Sequence, residues 1–176
     1  MTDAPFPAEH AVLGALLDGP AHGYELCRRL RDDLGLVWRI ATSQLYAVLR
    51  RLEAAGTVRR TGEADPRGRH VYALTPHGEA AFWEWAVTPV PRVRDLRVEF
   101  VTKLYFLYRF APGRVDELIA RQRDVVLQLR NRLAGEEPPG DPFSAALQGF
   151  RMSQVRCALD WLQGLRTQQK EEPLES

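Results

Sequence analysis

The chain has 176 residues, 45% of them hydrophobic, which is enough for one large domain or two small ones with a real core. Its net charge of +1 excludes a globally basic protein, and its two distant cysteines, Cys27 and Cys157, fit neither a disulfide framework nor a zinc site. No apolar run is long enough to span a membrane and the N-terminus lacks the features of a signal peptide, so we expect a soluble cytoplasmic protein.

Three short helices are predicted at the start of the chain. The stretch "FPAEHAVLGALLDGP" has apolar residues at helical spacing and stops at its Asp-Gly-Pro end. A second helix covers "HGYELCRRLRDDLG" and closes at Gly35. The third, in "TSQLYAVLRRLEAAG", begins near Ser43, whose hydroxyl can cap free backbone N–H groups, and ends at Gly56. Its apolar residues form one stripe: Leu45, Val48, Leu49 and Leu52.

A β-hairpin is predicted after the third helix, because the hydrophobic period changes there. "TVRRT" and "RHVYALT" are short β-branched or aromatic segments that flank the turn formers of "GEADPRG". Thr75-Pro76 fits an N-cap followed by proline at the first helical position, and so opens a fourth helix to about Val87. Three helices, a hairpin and a further helix is the order of a winged helix-turn-helix with a two-stranded β wing.

The second half of the chain is predicted to be helical and to need a partner chain. "TPVPRVR" at 88–94 breaks the chain, and "DLRVEFVTKLYFLYRF" beyond it is apolar almost all round. Another helix opens at Pro112, and a last long helix covers 143–168. These apolar stripes are too extensive for a domain of about 80 residues to bury alone. The stripe of the last helix contains Phe143, Leu147, Phe150, Leu159, Leu162 and Leu165.

The predicted fold class is therefore mainly α. Residues 1–88 form a winged helix-turn-helix DNA-binding domain, and 89–94 form a linker. Residues 95–170 form an α-helical dimerisation domain that is also a candidate for effector binding, and 171–176 form a flexible tail.

Positive charge is concentrated between Arg39 and Arg69. Seven arginines in this segment stand against three acidic residues, which leaves a local charge of +4. Arginine favours planar, bidentate contacts with phosphate or guanine. Genome base composition explains the same preference for arginine over lysine, so the bias alone does not identify a nucleic-acid interface.

The predicted third helix and hairpin carry residues suited to DNA. In a helix-turn-helix the recognition helix, here the third, lies in the major groove. Gln44 near its N-terminus can pair with an adenine edge, and Arg50 lies on the outward face, where it can reach a phosphate or a guanine. Arg67 and Arg69 flank Gly68 at the expected tip of the wing, where they would meet the minor groove.

Each of these residues also has a plain structural interpretation. Arg50 and Arg51 can be a solvated helix face, and Tyr46 can be half-buried packing. An unrelated helix has no reason to be followed by a basic hairpin, so the combination favours DNA. The alternative is a winged-helix protein-interaction module whose Arg50/Arg51 face binds an acidic protein partner.

No catalytic, cofactor or metal site is predicted. His22 and Cys27 are five residues apart on the second helix and share no face, and no third group completes a nucleophilic site. The four histidines show no spacing typical of a metal site, and the chain has no Gly-rich phosphate loop. We therefore expect that the protein is not an enzyme and that Cys27 is a core residue.

Aromatic residues cluster near the predicted boundary between the two halves. Their number is compatible with an effector pocket for a flat apolar ligand. Aromatic side chains also dominate dimer cores for ordinary burial reasons, so both roles stay open. The candidates for either role are Trp83, Tyr105, Tyr108 and Trp161.

Three segments in combination resemble the PadR family of transcriptional regulators: "GPAHGYELCRRLRDDLG", "SQLYAVLRRLEAAGTVRR" and "RHVYALTPHGEAAF", which together cover about residues 8–85. The helix-rich second half resembles the longer members, which carry a separate dimerisation domain. The resemblance implies a homodimeric winged-helix protein, usually a repressor, that binds an inverted-repeat operator in double-stranded DNA. It also implies release by a small aromatic or drug-like effector.

The resemblance also assigns candidate DNA-binding positions, which are Ser43, Gln44, Tyr46, Arg50, Arg67 and Arg69. Thr42, at the start of the same helix, is a further DNA-binding candidate. One departure from the family pattern is visible. Many members have proline after the tyrosine of the QLY motif, where this chain has Ala47. Alanine is a better helix former, so the fold is unaffected, but the orientation of Tyr46 can differ.

Overall fold

The structure is a computed structural model that describes residues 8–62, 69–136 and 140–171, and within these ranges it is mainly α-helical. The elements in chain order are α1 (Ala8–Ala15), β1 (Ala21–His22), α2 (Gly23–Leu34), α3 (Thr42–Ala54), β2 (Val58–Thr61), β3 (Val71–Leu74), α4 (Pro76–Val87), α5 (Glu99–Phe110), α6 (Val115–Ala134) and α7 (Pro142–Glu171). Short 3-10 helices at Val93–Arg97 and Pro112–Arg114 precede α5 and α6.

The chain divides into two compact units. The first consists of Met1–Val87 together with Val101–Phe106, and the second of Thr88–Phe100 together with Leu107–Ser176. The middle of α5 therefore belongs to the first unit, while its two ends belong to the second. The functional boundaries at 1–88, 89–94, 95–170 and 171–176 stay predictions.

The core of the first unit is formed by the apolar stripes of its first three helices. The predicted stripe of α3 is buried throughout, since each of its four members is at most 4% exposed. Cys27 on α2 is only half-buried, contrary to its predicted place in the core. Its thiol lies 3.9 Å from the carbonyl oxygen of Ile40 and 3.8 Å from the hydroxyl of Thr42, at the edge of the core.

The predicted hairpin is present, but it is part of a three-stranded sheet in the order β1-β3-β2. In the antiparallel pair β2 and β3, Val58 lies opposite Leu74. The additional strand β1 pairs antiparallel with the other edge of β3, with Ala21 opposite Tyr72. Two residues are too few for an alternating pattern, which is why the sequence did not indicate β1. The turn of the hairpin, 63–68, lies outside the described residues.

The predicted start of α4 is confirmed in detail. The Thr75 hydroxyl accepts a hydrogen bond from the Gly78 N–H at 3.1 Å, and Pro76 is the first helical residue. Gly78 is required because a Cβ there would lie 2.0 Å from the carbonyl oxygen of Thr57. The spacing T-x-x-G therefore reflects a helix cap and a close backbone approach in the same turn.

The second unit is built on α6 and α7, which pack against each other. Leu118, Ile119 and Val126 of α6 are buried, as are Val155 and Leu162 of α7. The prediction that the stretch "DLRVEFVTKLYFLYRF" is helical from its first residue is wrong. Residues 93–97 form a 3-10 helix, and α5 begins only at Glu99.

A buried glutamine holds the segment that was predicted as a linker. The Gln122 side chain is 1% exposed and donates from Nε2 to the Val90 carbonyl oxygen at 2.9 Å. Its Oε1 accepts the Val90 N–H at 2.7 Å. Both backbone groups of Val90 are thus satisfied by one amide, so this part of the chain is anchored to α6.

The predicted single stripe of α7 is wrong, because its members divide between two faces. Leu162 is fully buried and Leu159 and Leu165 are half-buried, whereas Phe143 is 75%, Leu147 46% and Phe150 60% exposed. The helix starts after Asp141, whose Oδ1 accepts the N–H groups of Phe143 and Ser144 at 3.0 Å each. Hydrogen bonding by Ser144 is the main cause of the lowered pKa of Asp141.

Candidate nucleic-acid interface

The outward face of α3 is formed by residues opposite its buried stripe. Ser43 and Arg50 are exposed on this face. The guanidinium of Arg50 makes no hydrogen bond or ion pair with any residue that the structure describes. A side chain that ends in an unpaired, planar cation on a rigid helix is suited to a phosphate or to the O6/N7 edge of guanine.

Arg51 differs from its neighbour Arg50. Its Nε lies 2.6 Å from Oε1 of Glu9, so its charge is paired with a residue of α1. Successive helix residues are rotated by about 100° around the axis, which turns Arg51 toward α1. Of the arginine pair considered in the sequence, only Arg50 presents an unneutralised charge on the outward face.

The N-terminus of α3 is capped by Gln44. The helix begins at Thr42 with Ala41 as the N-cap, so the prediction of Ser43 as the cap is wrong. Gln44 Oε1 accepts a hydrogen bond from the Ala41 N–H at 3.2 Å. Bidentate pairing with adenine needs both the oxygen and the NH₂ group of a glutamine, and would require this cap to open. The NH₂ group alone remains available as a donor.

Tyr46 packs against the start of α2. It is half-buried, and a Cβ at Gly23 would lie 2.7 Å from a carbon of its ring. Gly23 therefore has to be small because the Tyr46 ring occupies the space above it. This contact joins the HGYEL and QLY segments and corresponds to the packing interpretation of Tyr46. Thr42 is exposed at the first turn of α3.

Of the two predicted wing arginines, the structure describes Arg69. Arg67 lies outside the described residues. Arg69 is half-buried just before β3, with its guanidinium carbon 5.4 Å from the centroid of the Tyr24 ring. It lies on the turn side of the β2–β3 pair, beyond the last paired residues Thr61 and Val71, and it stacks on an exposed tyrosine of α2, while its predicted role in the wing stays a prediction.

Two exposed residues beside these positions were not singled out from the sequence. Tyr24 is 47% exposed at the start of α2, and Arg59 on β2 is exposed without a hydrogen bond or ion pair to the described residues. The neighbouring Arg60 is instead paired with Glu53 at 2.8 Å. The alternation of a strand separates Arg59 from Arg60, which is the signal that could have identified Arg59.

The start of α2 carries a reciprocal cap that lowers the pKa of a carboxylate. Oε2 of Glu25 accepts the N–H of His22 at 2.8 Å. This hydrogen bond is the largest cause that holds the pKa of Glu25 below its ordinary value. The His22 ring stacks on Tyr24 with centroids 5.9 Å apart, so cap and aromatic residues form one cluster.

The four candidate aromatic residues do not belong to one unit. Trp83 packs edge-on against Phe82 at 5.0 Å in the first unit, to which Tyr105 also belongs. Tyr108 and Trp161 belong to the second unit, where Trp161 contacts Phe100 with centroids 5.8 Å apart. None of the four lines either of two cavities in the described parts of the chain.

One of these cavities lies in the first unit beside α3. We call it the α1–α3 cavity; its volume is about 650 Å³, and it is lined by Ala8–His10, by Trp38–Ile40 and by Gln44, Ala47, Val48 and Arg51. The other has a volume of about 430 Å³ and lies between α6 and α7.

The described residues contain no group of three or more His, Cys, Asp or Glu side chains that could hold a metal ion. Among the helices described, none has the length and apolarity needed to cross a membrane.

The sequence of most of the first unit matches a known protein family. Residues 12–84, from α1 into α4, match the model of the transcriptional regulator PadR-like family. This segment of the chain is therefore similar to the PadR-like family. The negative transcriptional regulator PadR of Bacillus subtilis (strain 168) is 30% identical over 116 residues, or 65% of this chain and 64% of that protein. The match thus spans less than two thirds of the length of this curated relative.

Matches among the solved structures include two structures of Bacillus subtilis PadR and one of a further regulator. Bacillus subtilis PadR in complex with operator DNA is 21% identical, covers 93% of this chain and 98% of its own, and has a TM-score of 0.47. The same protein in complex with p-coumaric acid is 20% identical over 89% of this chain and 95% of its own, with a TM-score of 0.43. A transcriptional regulator from Clostridium thermocellum is 24% identical over 44% of this chain and 75% of its own, with a TM-score of 0.41.

Proposed function

We propose that this protein is a sequence-specific DNA-binding transcriptional regulator that acts as a homodimeric repressor. The observation that carries the proposal is the guanidinium of Arg50, which is unpaired with any described residue and lies on the outward face of a helix whose opposite face is fully buried. A helix held in this way can enter the major groove without losing core contacts. The match of residues 12–84 to the PadR-like family and the 30% sequence identity to a negative regulator support repression as the sign of control.

The residues around Arg50 are arranged for contacts with the DNA backbone on either side. Thr42 lies at the N-terminus of α3, where free N–H groups and the helix dipole favour a phosphate. Arg59 and the stacked pair of Arg69 and Tyr24 lie on the strands and on α2, and provide further cationic or polar groups. Ser43 and Gln44 complete the candidate set on α3, and Arg67 stays a candidate in the wing.

An exposed apolar stripe on α7 supports the homodimer. Six exposed positions follow the alternating spacing of four and three residues that two packed helices use: Phe143, Leu147, Phe150, Gln154, Cys157 and Trp161. Large exposed apolar side chains in a continuous row mark an interaction surface. A second copy would cover the stripe, and its two-fold symmetry would match an inverted-repeat operator. Trp161 then belongs to the dimer core.

Release by a small aromatic effector, which the family resemblance implies, completes the proposed mechanism. The effector would have to bind the DNA-bound and the DNA-free conformations with different affinities, because equal affinity shifts nothing. Trp83, Tyr105 and Tyr108 stay candidates for its pocket. As a repressor the protein would act in the cytoplasm, where an operator is accessible.

Binding to DNA from upstream of the protein's own gene tests the proposal, with a random duplex as a control and a salt series on both. We expect Arg50→Ala to weaken binding to the upstream DNA by about tenfold to a hundredfold, as for loss of one base or phosphate contact. Arg51→Ala is the matched control, because Arg51 is already paired with Glu9, and should change affinity by less than about threefold.

Two outcomes would contradict the DNA proposal. Equal weak binding to both duplexes over the whole salt range would favour the alternative, a winged-helix module whose Arg50 face binds an acidic protein partner. Equal losses from Arg50→Ala and Arg51→Ala would mean that the outward face of α3 has no special role.

A further inference from the structure

The cavity between α6 and α7 in the second unit has an excess of positive charge. Its volume of about 430 Å³ lies within the range of about 300–1,000 Å³ that is typical of ligand sites. Among the described residues that line it, three arginines stand against one aspartate, which leaves a net charge of +2. We call it the α6–α7 groove, and its charged residues are Arg123, Arg130, Arg156 and Asp160.

The protein itself does not neutralise these cations. Arg123 and Arg156 make no hydrogen bond or ion pair with the described residues. Arg130 donates from Nε and Nη2 to Oδ1 of Asn131 at 3.3 and 3.1 Å, but this amide oxygen carries no charge. Asp160 forms no ion pair with any residue that the structure describes. The groove therefore attracts an anion from solution.

The register of the two helices directs two of the arginines toward each other. The end of α6 contacts the start of α7, since Gln148 Nε2 donates to the Leu133 carbonyl oxygen at 3.5 Å, and the helices run antiparallel from there. Arg130 lies about 4.5 Å along α6 from this contact, and Arg156 about 12 Å along α7. Side chains lean toward the N-terminus of their own helix, so in an antiparallel pair these two lean together. One compact anion can thus contact both.

The floor of the groove is aliphatic. Leu127, Met152 and Leu159 line it and are half-buried. A recessed apolar surface stabilises a hydrocarbon chain that leaves water, and methionine adapts to the shape of its neighbour. No aromatic side chain is among the described residues that line the groove, so an aliphatic body fits this floor better than a flat ring.

The groove stays accessible in the proposed homodimer. Successive residues of a helix are rotated by about 100° around its axis. On this spacing Met152 and Arg156 lie roughly 140–180° from the mean direction of the exposed apolar stripe of α7. A second copy that covers the stripe therefore leaves the groove open to solvent.

We propose that the α6–α7 groove binds a phosphate monoester with an aliphatic body. Such a phosphate carries close to two negative charges at neutral pH, which matches the net charge of the groove. Arg130 and Arg156 hold the phosphate, because a guanidinium fork matches two of its oxygens, and the chain lies on the aliphatic floor. Asp160 lines the groove at nearly the height of Arg123 and disfavours a second anion there. This site goes beyond the proposed function and does not depend on DNA binding.

Calorimetric titration of the full chain with hexyl phosphate tests the site, with hexyl sulfate as the matched ligand. The two have the same chain and a tetrahedral head group, but the sulfate carries one charge less. We expect hexyl phosphate to bind, and hexyl sulfate to bind about tenfold or more weakly because a charge-assisted pair is lost. Inorganic phosphate lacks the chain and should also bind about tenfold or more weakly.

Substitutions in the groove should change the affinity in opposite directions. Arg130→Gln and Arg156→Gln should each weaken hexyl phosphate by about tenfold. Asp160→Asn should strengthen it by about twofold to fivefold, because it removes a negative charge from the lining. Arg132→Gln removes an exposed arginine of α6 that does not line the groove, and should have no effect. Circular dichroism checks that each variant keeps its helices.

The proposal is overturned if hexyl phosphate does not bind, if hexyl sulfate or inorganic phosphate binds equally well, or if both arginine substitutions in the groove leave the affinity unchanged. Titration at pH 5 is a second check, because the phosphate then loses one charge and the sulfate does not. The preference for phosphate over sulfate should shrink at pH 5, and a preference of the same size would contradict the proposal.

Membrane lipids and DNA carry the same phosphate chemistry, so both serve as competitors in the titration. Because the floor is recessed between two helices, we expect that neither vesicles containing phosphatidic acid nor a random duplex displaces hexyl phosphate. Displacement by the vesicles would mean that the groove binds a membrane lipid, and displacement by the duplex would mean that it binds the DNA backbone. Either result would overturn the assignment to a soluble ester.

Discussion

The two units of this chain use their apolar side chains differently. In the first unit, short helices and a small sheet close around one core, and the α3 stripe is completely covered. In the second unit, the longest helix, α7, buries one face and leaves a second apolar face in solvent, with Phe143 75% exposed. The first unit thus covers the apolar stripe of α3 itself, whereas the second leaves an apolar face that the proposed second copy would cover. This difference suits the proposed function, in which the first unit binds DNA and the second joins two copies of the chain.

The largest expected effect comes from placing a charge on the exposed face of α7. Phe150→Glu would desolvate a carboxylate at the centre of the proposed dimer interface, so we expect monomers at micromolar concentration in sedimentation or light scattering. Operator affinity should fall by about a hundredfold or more, because two half-sites are no longer bound together.

Ala145→Glu is the matched control for that change. It adds the same charge at an exposed position on another face of α7 and should leave the dimer intact. If Phe150→Glu stayed dimeric at micromolar concentration, the exposed stripe would not be the dimer interface.

A second contrast concerns two glycines, Gly78 in the first unit and Gly149 in the second. A Cβ at Gly78 would lie 2.0 Å from the Thr57 carbonyl oxygen, whereas a Cβ at Gly149 on α7 meets nothing within 4 Å. Gly78→Ala should lower the free energy of unfolding by about 2–4 kcal/mol in denaturant titrations, because a backbone has to move. Gly149→Ala should be neutral or stabilising by up to about 1 kcal/mol. Equal effects of the two changes would remove this contrast.

The local signals in the sequence predicted the first unit well. The α3 stripe, the Thr75-Pro76 cap and the hairpin each depend on residues a few positions apart, and all three are confirmed. The resemblance to the PadR family, inferred from the HGYEL and QLY segments, is confirmed by the match over residues 12–84. What those segments do in the structure, with Tyr46 filling the space above Gly23, could not be read from their spacing.

The errors arose where distant residues decide the outcome. Arg50 and Arg51 look alike in sequence, and only Glu9, far away on α1, distinguishes them. Nothing local in the sequence indicates that Arg69 stacks on Tyr24. The two faces of α7 could not be separated from periodicity alone, since one is covered by its own chain and the other is not. The roles of the candidate site residues stay predictions for this reason.

The buried amide of Gln122 allows a test of how the 88–94 segment is held in the second unit. It satisfies both backbone groups of Val90, so removing it leaves a buried N–H and a buried carbonyl without their partner. Gln122→Met keeps the side-chain volume and should cost about 2 kcal/mol of unfolding free energy. Gln128→Met, at an exposed position of α6, should cost less than about 0.5 kcal/mol. A neutral result for Gln122→Met would show that the 88–94 segment is not held by this contact.

The smallest expected effect is a pH dependence at the start of α2 in the first unit. The hydrogen bond from the His22 N–H keeps the pKa of Glu25 below its ordinary value. The ionised carboxylate of Glu25 is therefore more stable in the folded protein than in the unfolded chain. The resulting stability is fully present above the ordinary carboxyl pKa of about 4.3 and is lost as the pH falls through the lowered value. Because the carboxylate is largely solvated, the difference in unfolding free energy between wild type and Glu25→Gln should be below about 1 kcal/mol at pH 7.

Chemical denaturation at pH 7 and again at pH 3 should show that this gap in unfolding free energy shrinks at the lower pH. A gap that stays constant between these two pH values would mean that the charge of Glu25 contributes nothing and that the cap depends on hydrogen-bond geometry alone.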